Sequence, residues 1–259
     1  MLRLTFLLVT ILTITTLFSC KTNAPKAAPE TEFTKAQRIV DQSIKAHGAD
    51  LFKNVIIEFT FRAKEYVATH KGANFQYERH FVDKSGKKIK DVLTNNEFYR
   101  EEDAQRISIT EKQKASWFGS VNSVHYFVQL PYRLNDGAVI KKYVGESTIK
   151  GRKYDKVEVR FKEEGGGQDH EDVYMYWFDQ NTHTMDYFAY NFLVNGGGAR
   201  FRAAYNPRIV DGIRFVDYIN YKPKEDNRDV FNFDQLYEQD GLKELSRIDT
   251  ENVRVRLNK

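Results

Sequence analysis

Residues 55–63, VIIEFTFRA, alternate strictly: Val55, Ile57, Phe59 and Phe61 point one way, and Glu58, Thr60 and Arg62 the other. Successive side chains of an extended chain face opposite sides, so a period of two predicts a half-buried strand and excludes a helix. NFQYERHF repeats the pattern, with Phe75, Tyr77 and Phe81 against Gln76, Glu78 and His80, and DKSG at 83–86 supplies a hairpin turn. The same reading predicts strands around 98–101, 105–109, 138–144, 153–162, 173–178, 185–194, 200–205, 213–221 and 253–257. Short strands at this spacing build an antiparallel sheet that is a sandwich, a barrel or part of one. The 19 Phe and 15 Tyr suit such strands and can fill a sizeable core.

Two segments break the period. Thr34 reads as an N-cap with Gln37 three residues on, and Ala36, Ile39, Val40 and Ile44 recur at helical spacing until Gly48, which predicts a helix over 34–47. His47, in its last turn, reads as a side chain interacting with the carbonyl end of the dipole. A second helix is predicted over 111–130, where Trp117, Val121, Val124 and Val128 form one stripe before Pro131 and the Asn135–Gly137 turn end it. That stripe most simply packs the helix on the sheet. In VYMYWF (173–178) and MDYFAYNFLV (185–194) both faces are apolar, so both are covered. Either the second face meets the helix, or it lines a cavity.

The N-terminus has a different layout. Arg3 precedes an apolar run over 5–18, which is too short to span a bilayer core of about 30 Å and has the form of a secretory signal peptide. The run ends at LFSCK, where Ser19 precedes Cys20, the only cysteine. Leu17, Ser19 and Cys20 resemble the lipobox of bacterial lipoproteins, which implies cleavage after residue 19 and acylation of Cys20. Two or three acyl chains would anchor the protein durably. KTNAPKAAPETE (21–32) is polar, contains Pro25 and Pro29, and reads as a tether reaching about 40 Å. The expected organisation is therefore signal peptide 1–19, lipidated cysteine and tether 20–32, and one domain over 33–259. No acidic run follows Cys20, and the expected location is the outer membrane, facing the periplasm. The formal charge of +4, less Arg3, leaves +3. Lys and Arg are interspersed with Asp and Glu, so no nucleic-acid partner is expected.

No motif commits the chain to catalysis. GGGQDHED (165–172) gathers Asp169, His170, Glu171 and Asp172, which could bind a divalent cation or act as acid and base. Consecutive strand positions diverge, however, so this segment and Gly196–Gly198 are expected to be solvated, non-catalytic connections. His125 has Ser116, Ser120 and Ser123 nearby in sequence, but no GxSxG occurs. His70, His80 and His183 lack metal-ligand spacing, and one cysteine excludes cysteine-rich zinc sites. No catalytic residue, metal or cofactor is expected. Arg200, Phe201 and Arg202 could grip an anionic headgroup or form a solvated basic strand face.

The helix ending in AHG (46–48), the strand meander and the inserted helix resemble the outer-membrane lipoprotein carrier and receptor superfamily. SVNSVHYFVQLPYRLND, EEGGGQDHEDVYMYW and NGGGARFRAAYNPRIVDGIRFVDYINY resemble a family of envelope lipoproteins of unknown function. The first resemblance implies a mainly β (α+β) fold, an antiparallel unclosed half-barrel with an N-terminal helix and a central helix covering the sheet. It also implies a lipid-like ligand in a hydrophobic cavity, for which Trp117, Phe127, Trp177 and Tyr190 are the expected lining. The second implies no activity. Two alternatives stand beside this reading. One is an envelope module, structural or protein-binding, with no cavity. The other is a lipid-anchored hydrolase using residues 169–172.

Overall fold

The computed structural model describes residues 30–48, 51–166, 172–193 and 196–258. The expected signal peptide, Cys20, the tether up to residue 29 and residues 169–171 lie outside the described residues.

The chain runs through α1 (Glu32–Ala46), β1 (Asn54–Phe61), β2 (Lys64–Lys71), β3 (Asn74–Val82), β4 (Lys88–Thr94), β5 (Phe98–Glu102), β6 (Gln105–Arg106) and α2 (Glu111–Val128). It continues through β7 (Val139–Ile149), β8 (Arg152–Phe161), α3 (Glu163–Gly166), β9 (Tyr174–Asp179), β10 (Met185–Phe192), β11 (Gly198–Val210) and β12 (Ile213–Pro223). It ends in α4 (Phe233–Glu238), β13 (Leu242–Ile248) and β14 (Glu251–Leu257). One seven-stranded sheet has the order β14-β1-β2-β3-β4-β5-β6, and the other has β13-β12-β11-β10-β9-β8-β7. All pairings are antiparallel. β13 and β14 follow one another yet belong to different sheets, so the sheets meet at the Asp249–Thr250 crossing. Among the described residues no ladder joins β6 to β7 on the other side. The fold is an unclosed half-barrel, and both sheets, the helices and the core lie within one compact unit over residues 31–258.

The alternation of β1 takes the direction read from sequence, with Val55, Ile57, Phe59 and Phe61 buried. They join the inward residues of the second sheet, such as Tyr176, Phe178, Phe188 and Tyr218, in one core. α1 lies along β7 and adds Ala36, Ile39, Val40 and Ile44. It begins a turn earlier than expected: Thr31 is the N-cap, accepting from the Thr34 amide at 3.1 Å, while the Thr34 hydroxyl donates back to the Thr31 carbonyl at 2.9 Å. Two nearby threonines can each cap, and the one whose orphan amides lie ahead of it prevails.

The end of α1 explains AHG. Gly48 has φ +88°, and a Cβ there would stand 2.3 Å from the Gly212 carbonyl oxygen, so the helix end and the β11–β12 turn can approach only through glycine. His47 is buried, and its Nε2 accepts from the Met185 amide at 3.3 Å. Burial, aided by Arg214, lowers its pKa to about 3. The imidazole is therefore neutral, and the expected charge–dipole role is replaced by that of an acceptor holding β10.

α2 opens with a reciprocal capping box between Thr110 and Gln113. Its stripe of Trp117, Val121, Val124 and Val128 packs on β3–β5 of the first sheet. Beneath it Asp91, wholly buried, accepts from Arg79 Nε at 2.9 Å and Arg100 Nε at 2.7 Å, and the Arg100 guanidinium lies 3.4 Å over the Trp117 ring.

Five elements went unforeseen: β2, β4, β13, α3 and the segment 230–238 containing α4. The last is consequential. Val230 and Phe233 cover the outer face of the second sheet, enclosing Met175, Trp177, Ala189, Phe201 and Ala203 in a separate core. The two-sided apolarity of β9 and β10 thus has two causes, with the main core inside and α4 outside.

Candidate functional site

α2 has a second apolar face on the side opposite its packing stripe. Ala115, Phe118, Gly119, Asn122, Ser123, Tyr126 and Phe127 recur every three or four residues and look towards the second sheet without packing solidly on it. The space between is a groove of about 610 Å³. Its floor follows from register: Tyr174, Tyr190 and Arg200 are neighbours across β9, β10 and β11, and Tyr176, Phe188 and Arg202 form the next row. Rings stack across the strands, Tyr174 on Tyr190 at 5.5 Å between centroids and Tyr176 on Phe188 at 5.6 Å. Phe192 and Phe161 extend the wall, and Arg133, Asp136 and Ala138 close one end.

The closing end is electrostatically settled. Arg133 Nε donates to Asp136 Oδ2 at 2.6 Å and its Nη1 to the Tyr77 hydroxyl at 2.7 Å. Tyr77 donates on to Gln129 Oε1 at 3.2 Å, which also accepts from His70 Nε2 at 2.9 Å. Burial pushes the Tyr126 hydroxyl well above its ordinary range and lowers His70 to about 4, so both are neutral near pH 7.

The residues expected to line a cavity separate into two groups. Phe127, 9 % exposed, and Tyr190 lie on the groove. Trp117 does not, because it sits on the packing stripe over Arg100. Nor does Trp177: with Tyr176 and Phe178 inward it must point outward, where it meets Phe201 edge-on at 5.6 Å. Tyr174, Tyr176, Phe188, Phe192 and Phe118 were missed. The alternation within 174–178 and 188–192 grouped the four strand residues, but only the pairing register shows which group faces α2.

Among the described residues nothing assembles a nucleophile with a base. Ser123 lines the groove, whereas His125 faces the first sheet, its Nε2 donating to the Glu78 carbonyl at 3.1 Å. Ser120 is held by Arg79 Nη1 at 2.6 Å. Asp172 departs from the expected solvated loop, being buried and part of the groove lining. Among the described residues no cluster of His, Cys, Asp and Glu could hold a metal ion, and no helix is long and apolar enough to cross a membrane.

The profile of a family of unknown function, DUF6503, matches residues 7–250. The chain belongs to this family. No curated protein matches it in sequence. Among solved structures, this DUF6503 protein is similar to a LolA superfamily protein from Nitrosomonas europaea, at 12% identity over 85% of this chain and 93% of that one, with a TM-score of 0.47. It is also similar to a DUF1329 family protein from Desulfovibrio piger, at 13% identity over 85% and 92% of the two chains and a TM-score of 0.42. The lipoprotein LppX from Mycobacterium tuberculosis aligns over 64% of this chain and 90% of its own, at 9% identity and a TM-score of 0.28. No residue role is carried across at such distances.

Proposed function

We propose that this protein binds an apolar, acyl-chain-like ligand in the groove between α2 and the second sheet, as a lipoprotein anchored through Cys20 and facing the periplasm. The carrying observation is that α2 keeps a row of Phe118, Tyr126 and Phe127 opposite an aromatic floor across about 610 Å³ of space. Ligand pockets typically measure ~300–1,000 Å³ with mostly apolar walls. An interface serving stability alone would have closed, because open apolar surface forgoes about 25 cal/mol per Å².

Gly119 offers a test that spares the fold. It lies in α2 on the groove wall, and a Cβ there meets nothing within 4 Å. Gly119→Trp should fill the groove, abolish binding of a fluorescent fatty-acid probe and remove any lipid seen by native mass spectrometry of the purified domain. Its thermal midpoint should not fall, because leaving glycine favours the helix. A wild-type domain that carries no lipid and ignores the probe would refute the reading and favour a protein-binding module.

The anchor is tested separately. A labelled fatty acid fed to cells should mark the wild type and spare Cys20→Ser. A soluble, unlabelled wild type would rule the anchor out.

A further inference from the structure

Sequestered arginines in this fold are paired with carboxylates. Arg79 and Arg100 share Asp91, Arg133 has Asp136 at 2.6 Å, Arg208 has Asp217 at 3.2 Å and Arg214 has Asp186 at 3.5 Å. Among the described residues Arg202 and Arg200, on the groove floor, have no such pairing. The Arg202 guanidinium carbon lies 5.1, 5.2 and 5.4 Å from the ring centroids of Phe127, Phe188 and Tyr190, and its Nη2 donates to the Tyr190 hydroxyl at 3.2 Å. Its Nε–H is buried and has no acceptor. Aromatic faces attract a cation, but an N–H withdrawn from water without an acceptor remains costly.

Arg200, two residues along and on the same face of β11, repeats the arrangement. Its guanidinium stands 4.9 Å from the Phe192 ring and donates to its neighbour's carbonyl, that of Ala199, at 2.8 Å. Two like charges on one strand face repel each other. In the described lining, Asp136 is already committed to Arg133. A solvated basic face does not account for this, because the Arg202 Nε is shielded from solvent.

We infer that Arg202 and Arg200 form the seat for an oxyanion headgroup, so that the ligand of the groove is an anionic amphiphile. Its carboxylate or phosphate takes the open Arg202 Nε–H and the remaining guanidinium donors. The Tyr190 hydroxyl, already accepting from Arg202, donates its own proton. The hydrocarbon lies along Phe127, Phe188 and Phe192. This rests on the groove accepting an apolar ligand, and the test separates the two.

The test uses the domain over residues 31–259, which holds every element of the fold, loaded with neutral Nile red at pH 7.5 and low salt. Dodecanoate, dodecyl phosphate and dodecanol compete for the site. Charge-assisted hydrogen bonds should make at least one anion displace the dye about tenfold more tightly than the alcohol. The order of the two anions distinguishes a free fatty acid from a phosphate headgroup. In the Arg200→Gln, Arg202→Gln double variant, checked for its fold by near-ultraviolet circular dichroism, the better anion should fall to within about twofold of dodecanol while Nile red binding persists. Equal competition by anions and alcohol in the wild type, which needs no variant, overturns the seat and leaves the apolar groove standing. A wild type that fails to bind Nile red or any competitor overturns the groove itself, and the seat with it.

Discussion

Three histidines, His47, His70 and His125, are buried in this fold as neutral rings. Burial lowers His47 and His125 to about 3 and His70 to about 4 from an ordinary 6.5. Between those values the unfolded chain binds more protons than the folded one, so stability is full above about pH 6.5 and falls as pH drops towards the folded values. Each ring contributes at most ~1.4 kcal/mol per pH unit in that window. Urea denaturation should therefore give equal stabilities at pH 7 and 8 and a value roughly 2–6 kcal/mol lower at pH 5. A flat profile from pH 7 to 5 would show that these rings are hydrated. Glu78 is opposed by burial but held down to about 2 by His80, Gln76 and Lys90, and it enters only below about pH 4.5. The sequence showed that His70 lacks ligand spacing, yet not that burial would silence all three rings. His47 was read as a dipole partner because its contact with Met185 spans 138 residues of chain.

At the scale of elements, both long helices and most strands were legible because each carries its own periodicity over several residues. β2, β4 and β13 were not. In β4 the inward positions include Asp91, a charge that reads as surface until its arginine partners arrive from β3 and β5. α4 is a six-residue helix, and the stripe that its Phe233 and Leu236 make with Val230 of the preceding turn is too short to register. Its absence from the sequence reading put Trp177 in the wrong compartment. Trp177→Ala should cost about 3–5 kcal/mol, the usual range for emptying a buried large aromatic site. Probe affinity per folded molecule should stay unchanged, since the sheet separates Trp177 from the groove. A loss of probe binding at retained stability would reverse this placement.

For the whole molecule, the main core draws side chains from both sheets and both long helices, so neither sheet can shed its partner without exposing the other. Near- and far-ultraviolet circular dichroism of residues 31–259 should follow a single coincident transition in urea. Two separated transitions would mean that the sheets are independent bodies. The strand meander by itself was legible only as an antiparallel sandwich, barrel or part of one, and the half-barrel was what the resemblance to the lipoprotein carriers implied. The groove was legible only as a choice between cavity and solid packing, since the distance between a helix and a sheet is a property of tertiary docking that no local pattern encodes.

A closed barrel has a radius fixed by strand number and stagger. This one is joined at the Asp249–Thr250 crossing and bridged elsewhere by side chains, so its girth is set by van der Waals contacts rather than by a ring of backbone hydrogen bonds. A change of girth would break no ladder hydrogen bond, because among the described residues no ladder closes the ring. Discrimination among guests by hydrocarbon length should therefore be shallow, and selectivity concentrated wherever the floor itself is stiff.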